Sequence, residues 1–137
     1  RITKLTANES FVTGAVDGDK LPGSPDFQIS GSFEYRIPVK SGEVFTRLDA
    51  QYVGDSTNGL TNLPGGSGPN PALETNEAYE NVNARIGYRN DTWKTALYVE
   101  NLTNNDSLIQ VQNILEQFNR YTKLRPLTIG VSVSWDY

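Results

Sequence analysis

The sequence predicts an all-β chain, built as the antiparallel strands of an up-and-down transmembrane β-barrel. Three observations predict it. Stretches of roughly ten residues alternate apolar and polar side chains, the period of a strand that meets two different environments. The connections between those stretches alternate long and short along the chain. Aromatic residues gather near the ends of the stretches, where a membrane barrel carries its interfacial girdles.

The clearest stretch closes the chain. In TIGVSVSWDY, 128–137, Ile129, Val131, Val133, Trp135 and Tyr137 share one parity, and Thr128, Gly130, Ser132, Ser134 and Asp136 share the other. Pro126 stands just before it, where a missing N–H is tolerated. The same pattern runs through FQISGSFEYRI, 27–37, with Phe27, Ile29, Phe33, Tyr35 and Ile37 against Gln28, Ser30, Ser32, Glu34 and Arg36. A short Pro- and Gly-bearing turn at 38–43 leads into VFTRLDAQYVG, 44–54. There Val44, Leu48, Ala50 and Tyr52 oppose Arg47, Asp49 and Gln51, with Phe45 and Thr46 breaking the pattern.

Residues 55–78 hold Gly, Pro, Asn or Ser at most positions and predict a long loop. YENVNARIGYR, 79–89, is a strand with Val82, Ala84, Ile86 and Tyr88 on one side and Asn81, Asn83 and Arg85 on the other. RNDT, 89–92, is a tight turn. WKTALYVENL, 93–102, follows, with Leu97 and Val99 marking the apolar face opposite Lys94, Tyr98 and Glu100. Residues 103–122 form another long connection, and the spacing in SLIQVQNILEQF admits a short helix within it. RITKLTA, 1–7, carries no turn or capping signal and reads as the end of an element, part of a sixth strand.

Short turns and long loops that alternate put all the short turns on one side of the sheet. A soluble sandwich scatters its loop lengths over both ends, whereas an outer-membrane barrel keeps short turns periplasmic and long loops outside. The expected extracellular loops are therefore about 6–26, 55–78 and 103–122. The apolar parity then faces lipid. Glu34, Arg36, Arg47, Asp49 and Arg85, on the polar parity, become candidates for a wet lumen, because charges are costly in lipid. The same alternation also fits the half-buried sheet of a soluble all-β binding protein.

Composition narrows the rest. The chain has 137 residues with no Cys, no His and no Met. Disulfides, thiolate metal sites and His-based catalysis are thereby excluded. A net charge of −4 and the lack of a basic stripe argue against nucleic acid as a partner. Asp17 and Asp19 lack the ligand series of a calcium loop. Gly65, Gly66 and Gly68 lack the strand–helix setting of a phosphate loop. No carboxylate pair sits in a catalytic motif, so neither an enzyme nor a cofactor is expected.

Three segments resemble TonB-dependent outer-membrane receptors. LPGSPDFQISGSFEYRI resembles the entry to a late strand of that family. NVNARIGYRNDTWKTALYVENLTNND resembles its late hairpin, and RPLTIGVSVSWDY resembles its closing strand. They stand in the family's order. The resemblance implies an active transporter of the Gram-negative outer membrane, a plugged barrel that imports a scarce nutrient of the ferric-siderophore, cobalamin or oligosaccharide class. It implies as partners the rest of the barrel and its plug, the energy-coupling TonB system, the outer-membrane assembly machinery and the lipid bilayer. Trp135 and Tyr137 are implied as the assembly signal, although the family more often closes on Phe. The plug and the coupling box are not in this sequence, so the chain is expected to be a C-terminal part of such a barrel, about six strands. The alternative is a barrel-completing structural subunit or split fragment that transports nothing itself.

Overall fold

The structure is a computed structural model that describes residues 15, 17–66, 68–115 and 118–135. The expected partial strand at 1–7 and the expected assembly residue Tyr137 lie outside the described residues. The chain is all-β with antiparallel sheets. It divides into a sheet unit, spanning Ile29–Tyr52, Glu80–Asp106 and Leu124–Tyr137, and a loop unit, spanning Arg1–Gln28, Val53–Tyr79 and Ser107–Lys123.

The sheet unit is built from β1 (Gln28–Val39), β2 (Gly42–Val53), β5 (Tyr79–Arg89), β6 (Trp93–Glu100) and β9 (Thr128–Trp135), in the spatial order β1-β2-β5-β6-β9. Every strand expected from the period-2 pattern is present. The sheet is open, with β1 and β9 as its edges. The first turn is tighter than the sequence suggests, because β1 continues through Pro38. An edge strand tolerates proline, since one row of its backbone groups pairs with nothing in the sheet. The second turn is closed by Asn90, whose Oδ1 accepts from the N–H of Thr92 at 3.0 Å and of Trp93 at 2.7 Å.

Register turns the alternating sequence into two distinct faces. In β6 and β9, Trp93 opposes Trp135, Thr95 opposes Val133, Leu97 opposes Val131 and Val99 opposes Ile129. In β5 and β6, Ala84, Ile86 and Tyr88 oppose Val99, Leu97 and Thr95. The apolar parities of three strands therefore lie on one face. Their other parities, including Arg85, Lys94, Tyr98 and Glu100, lie on the opposite face. Phe45 of β2 reaches Gly87 of β5, and Arg47 of β2 reaches Glu34 of β1. Those contacts place the polar parities of β1 and β2 on that same second face.

The sheet has almost no core of its own. Phe45 and Ala96 are its buried hydrophobic residues among those described. Large apolar side chains stand bare instead, from Phe33 at 61% exposure in β1 to Val131 at 68% in β9.

The loop unit is organised differently. Ser56–Thr57 (β3) and Thr75–Asn76 (β4) form a two-residue antiparallel ladder. Leu108–Leu115 (β7) and Phe118–Lys123 (β8) form an antiparallel hairpin. That hairpin replaces the helix expected in SLIQVQNILEQF. Register breaks between Leu108 and Gln110 and between Asn113 and Leu115 explain the misreading. Each irregularity resets the parity, so a strand that should alternate instead mimics a helical spacing.

Side-chain amides join these pieces. Asn76 is 7% exposed. It donates to Ser56 Oγ at 3.0 Å and accepts from the Val111 N–H at 2.8 Å. Glu77 pairs twice with Leu108, through its own N–H at 2.9 Å and through Oε2 at 2.8 Å. Lys20 bonds Asp26 at 2.5 Å and lies 3.6 Å from Asp55.

Candidate functional site

The polar face of the sheet gathers the charged residues singled out in the sequence. Glu34 and Arg36 stand two residues apart on β1, so their side chains share a face, and Arg36 Nε donates to Glu34 Oε1 at 2.5 Å. Arg47, on β2, approaches Glu34 at 3.7 Å. It also forks onto Asp49, with Nε 2.8 Å from Oδ2 and a terminal nitrogen 2.7 Å from Oδ1. Two parallel N–H···O bonds of this kind fix direction as well as distance. Four of the five candidates thus form one alternating chain, Arg36–Glu34–Arg47–Asp49.

Arg85, the fifth, lies on the same face through β5. Its guanidinium carbon sits 5.7 Å from the centre of the Tyr98 ring, within reach of a cation–π attraction. Arg47, Asp49, Asn83, Arg85, Tyr98 and Glu100 line one groove of about 290 Å³. A second groove, of about 420 Å³, continues past Asp49 to Ser30, Ser32, Gln51, Asn81 and Asn83. Asn83 and Asp49 line both grooves.

Two aromatic side chains punctuate this face, and each lies across a glycine of the neighbouring strand. Tyr98 covers Gly130, where a Cβ would fall 2.9 Å from the ring carbon Cε1. Phe45 covers Gly87, where a Cβ would fall 2.7 Å from Cζ. Glycine in a strand leaves a hole in the side-chain layer, and a cross-strand ring laid over it restores packing. Lys94 then sits 5.8 Å from the Phe45 ring, as Arg85 does above Tyr98. Phe45 broke the sequence pattern for this reason: its partner is Gly87, and only the register reveals it.

Sequence reasoning missed the amides. Asn101 is 2% exposed and adopts φ 51° at the exit of β6. Its Nδ2 donates to the carbonyls of Asn105 and Arg125, both at 2.8 Å, and its Oδ1 accepts from the Asn105 N–H at 3.0 Å. Its own N–H donates to Asn83 Oδ1 at 3.0 Å. One residue thereby ties β5, the exit of β6 and the approach to β9. Asn81 Oδ1 is shielded from solvent without a hydrogen-bond partner among the described residues. Glu100 pairs with Arg125 at 2.9 Å, and Glu43 pairs with Arg89.

Trp135, the other expected assembly residue, stacks on Trp93 with ring centres 4.3 Å apart and a 43° tilt. The pair sits on the apolar face, at the end of the sheet that holds the tight turns. Among the described residues, no group of three or more carboxylates converges as a metal cluster would. No protein family, no curated protein and no solved structure matches this chain.

Proposed function

We propose that the chain is barrel wall of a TonB-dependent type of outer-membrane transporter, with the apolar face against lipid and the charged face toward the lumen. One observation carries the reading. No Asp, Glu, Lys or Arg occurs on the odd positions of β1, β6 and β9 or on the even positions of β2, and on the even positions of β5 the one charge is Glu80, at the strand's loop end. Yet most of the large side chains at those positions are exposed. Contiguous bare apolar surface of this size marks a membrane or partner surface. The opposite face holds the charged ladder, and each charge there has a partner or an aromatic neighbour.

Other features support the same reading. The five strands of the sheet run from eight to twelve residues, and a tilted strand needs roughly 9–11 to span a bilayer. The Trp93–Trp135 pair supplies rings at one end of the apolar band, with Tyr88 beside it. The open edges at β1 and β9 call for further strands, since an unpaired edge in lipid would leave backbone groups unsatisfied. In such a transporter the long outer loops capture the substrate, the lumenal residues line its route, and a plug gates it.

The test uses the chain's two tryptophans, Trp93 and Trp135. The protein is reconstituted into vesicles whose lipids carry bromine near the ester region. Both indoles are expected to be quenched by the bromines and shielded from aqueous iodide. A protein that stays in buffer without detergent, with both indoles open to iodide, sinks the proposal.

A further inference from the structure

The loop unit holds a groove of about 560 Å³. Such a volume falls within the roughly 300–1,000 Å³ of small-molecule sites. Asn58, Asn70 and Asn76 line one wall, and Gln110, Val111 and Gln112 of β7 line another. The first wall is fixed in place. Asn58 accepts from the Glu74 N–H at 2.8 Å, Asn70 accepts from the Ala72 N–H at 3.0 Å, and Asn76 donates to Ser56 Oγ at 3.0 Å. The second wall belongs to the β7–β8 hairpin, and β7 and β4 lie in different sheets.

Two points of attachment beside β4 differ in kind. At the hairpin's base, Glu77 holds Leu108 twice. Its N–H donates to the Leu108 carbonyl at 2.9 Å, and its Oε2 accepts from the Leu108 N–H at 2.8 Å. The two ends of the hairpin meet at this level, where Leu108 opposes Lys123. Further along, the Val111 N–H donates to Asn76 Oδ1 at 2.8 Å, one bond to a side chain. In a regular strand, N–H groups three residues apart point to opposite edges. The register break between Leu108 and Gln110 brings both to the same edge. β7 thus offers two separate donors where a sheet would offer a ladder.

The second attachment lies inside the groove. Asn76 and Val111 both line it, and both are buried, at 7% and 3% exposure. Beyond Val111 the hairpin continues as its own ladder, from Gln112 opposite Arg120 to Leu115 opposite Phe118. Breaking the Asn76–Val111 bond therefore costs the hairpin none of its internal pairing. Asn76 stays with Ser56 when that bond breaks. A swing about Leu108 then parts the two walls and opens the groove.

We propose that the β7–β8 hairpin is a lid, pivoting at the Glu77–Leu108 pair and held shut over the groove by the Asn76–Val111 latch. The proposal goes beyond the transporter reading and does not depend on it. It is tested on the full-length protein by hydrogen–deuterium exchange read at single amides and by thiol labelling. In wild type, the Val111 amide is expected to exchange about tenfold faster than the amides bonded between β7 and β8, because the latch opens without the ladder. Equal protection of the two sets overturns the lid, since the hairpin would then open only by coming apart. The chain has no cysteine, so Val111→Cys is a single reporter, and it keeps the backbone N–H that makes the latch. A methanethiosulfonate reagent is expected to label it slowly. Adding Asn76→Ala is expected to raise that rate by about tenfold, the scale of one lost hydrogen bond. The Leu108 amide and the β7–β8 amides are expected to keep their exchange rates. An unchanged labelling rate overturns the latch. Faster exchange at Leu108 or across the β7–β8 ladder overturns the pivot, because the loop unit would then be loosening as a whole.

Discussion

In the sheet unit, backbone ladders run unbroken for eight residues between β6 and β9, and side chains follow a strict two-residue beat. In the loop unit, the β3–β4 ladder shrinks to two residues and the β7–β8 ladder breaks its register twice. There the joining passes to side chains: Asn58, Asn70 and Asn76 bond backbone groups that no strand satisfies. The two regions solve one problem, the pairing of every polar backbone group, by different means. The sheet's means leaves a whole face free for apolar residues. The loop unit's means consumes polar side chains and leaves neutral amides along a groove.

The largest expected effect breaks the sheet's side of this contrast. Val131 projects from the apolar face of β9 at 68% exposure, and Ser132 beside it belongs to the charged face. If lipid covers the first face, Val131→Arg destabilises the membrane-inserted state by about 2–4 kcal/mol, the depth-dependent cost of such a charge. Ser132→Arg is expected to change stability by less than about 1 kcal/mol, because that side is wet. Urea titration of folding into lipid vesicles reads both. Equal effects at the two positions would remove lipid from the picture.

The next effect concerns Asn101, which brings the loop unit's device into the sheet. Asn101→Ala removes four side-chain hydrogen bonds from a buried position and puts alanine at φ 51°. Stranding buried partners costs about 1–3 kcal/mol, and the left-handed backbone adds about 1–2 kcal/mol for alanine. Asn101→Gly retains the backbone freedom and loses only the bonds. Glycine is therefore expected to be the milder change by about 1 kcal/mol. If the two variants melt together, the hydrogen bonds alone account for the residue.

A smaller effect tests the glycine-and-ring pairs. Gly130→Val forces a side chain into the Tyr98 ring and is expected to cost about 1–3 kcal/mol, as overpacking does. Tyr98→Ala in the same background should relieve most of that loss. A Gly130→Val protein as stable as wild type would mean that the ring moves aside freely.

These contrasts also explain what the sequence could and could not tell. The five strands were legible because their apolar positions keep one parity for most of their length, and Asn90 in RNDT announced its turn. The charged partners Glu34, Arg36, Arg47 and Asp49 were legible as a face, since alternation alone puts them there. Their pairing into one chain was not, because it depends on register between strands. The β7–β8 hairpin was misread because its irregularities shift parity, so Leu108, Ile109, Val111, Ile114 and Leu115 imitate a helix. The asparagine clamps were invisible for a further reason. A bond such as that between Asn76 and Val111 spans 35 residues and has no period. Asparagine in a loop-rich segment announces only a turn.

The smallest expected effect lies in the loop unit and sharpens the contrast through pH. Lys20 titrates above its ordinary value of 10.5, first because its ammonium is hydrogen-bonded to Asp26, against some loss of hydration, and then because the charges of Asp26 and Asp55 attract it. A cation whose folded value exceeds its unfolded one adds stability while protonated in both states, and loses it as pH climbs through the folded value. The contribution is therefore complete at neutral pH and fades only on the alkaline side of 10.5. The site is open to water, so salt should weaken it as well, since the Debye length falls to about 3 Å near 1 M. The expected signature is a slight difference in melting temperature between wild type and Lys20→Met, constant through neutral pH and shrinking above 10.5. A difference that instead grows with alkalinity would reverse the sign and show that Lys20 is held by its aliphatic stem. Lys20 would then be a packing residue in a unit otherwise joined by hydrogen bonds, and the division of labour between the two regions would be less clean than the amides suggest.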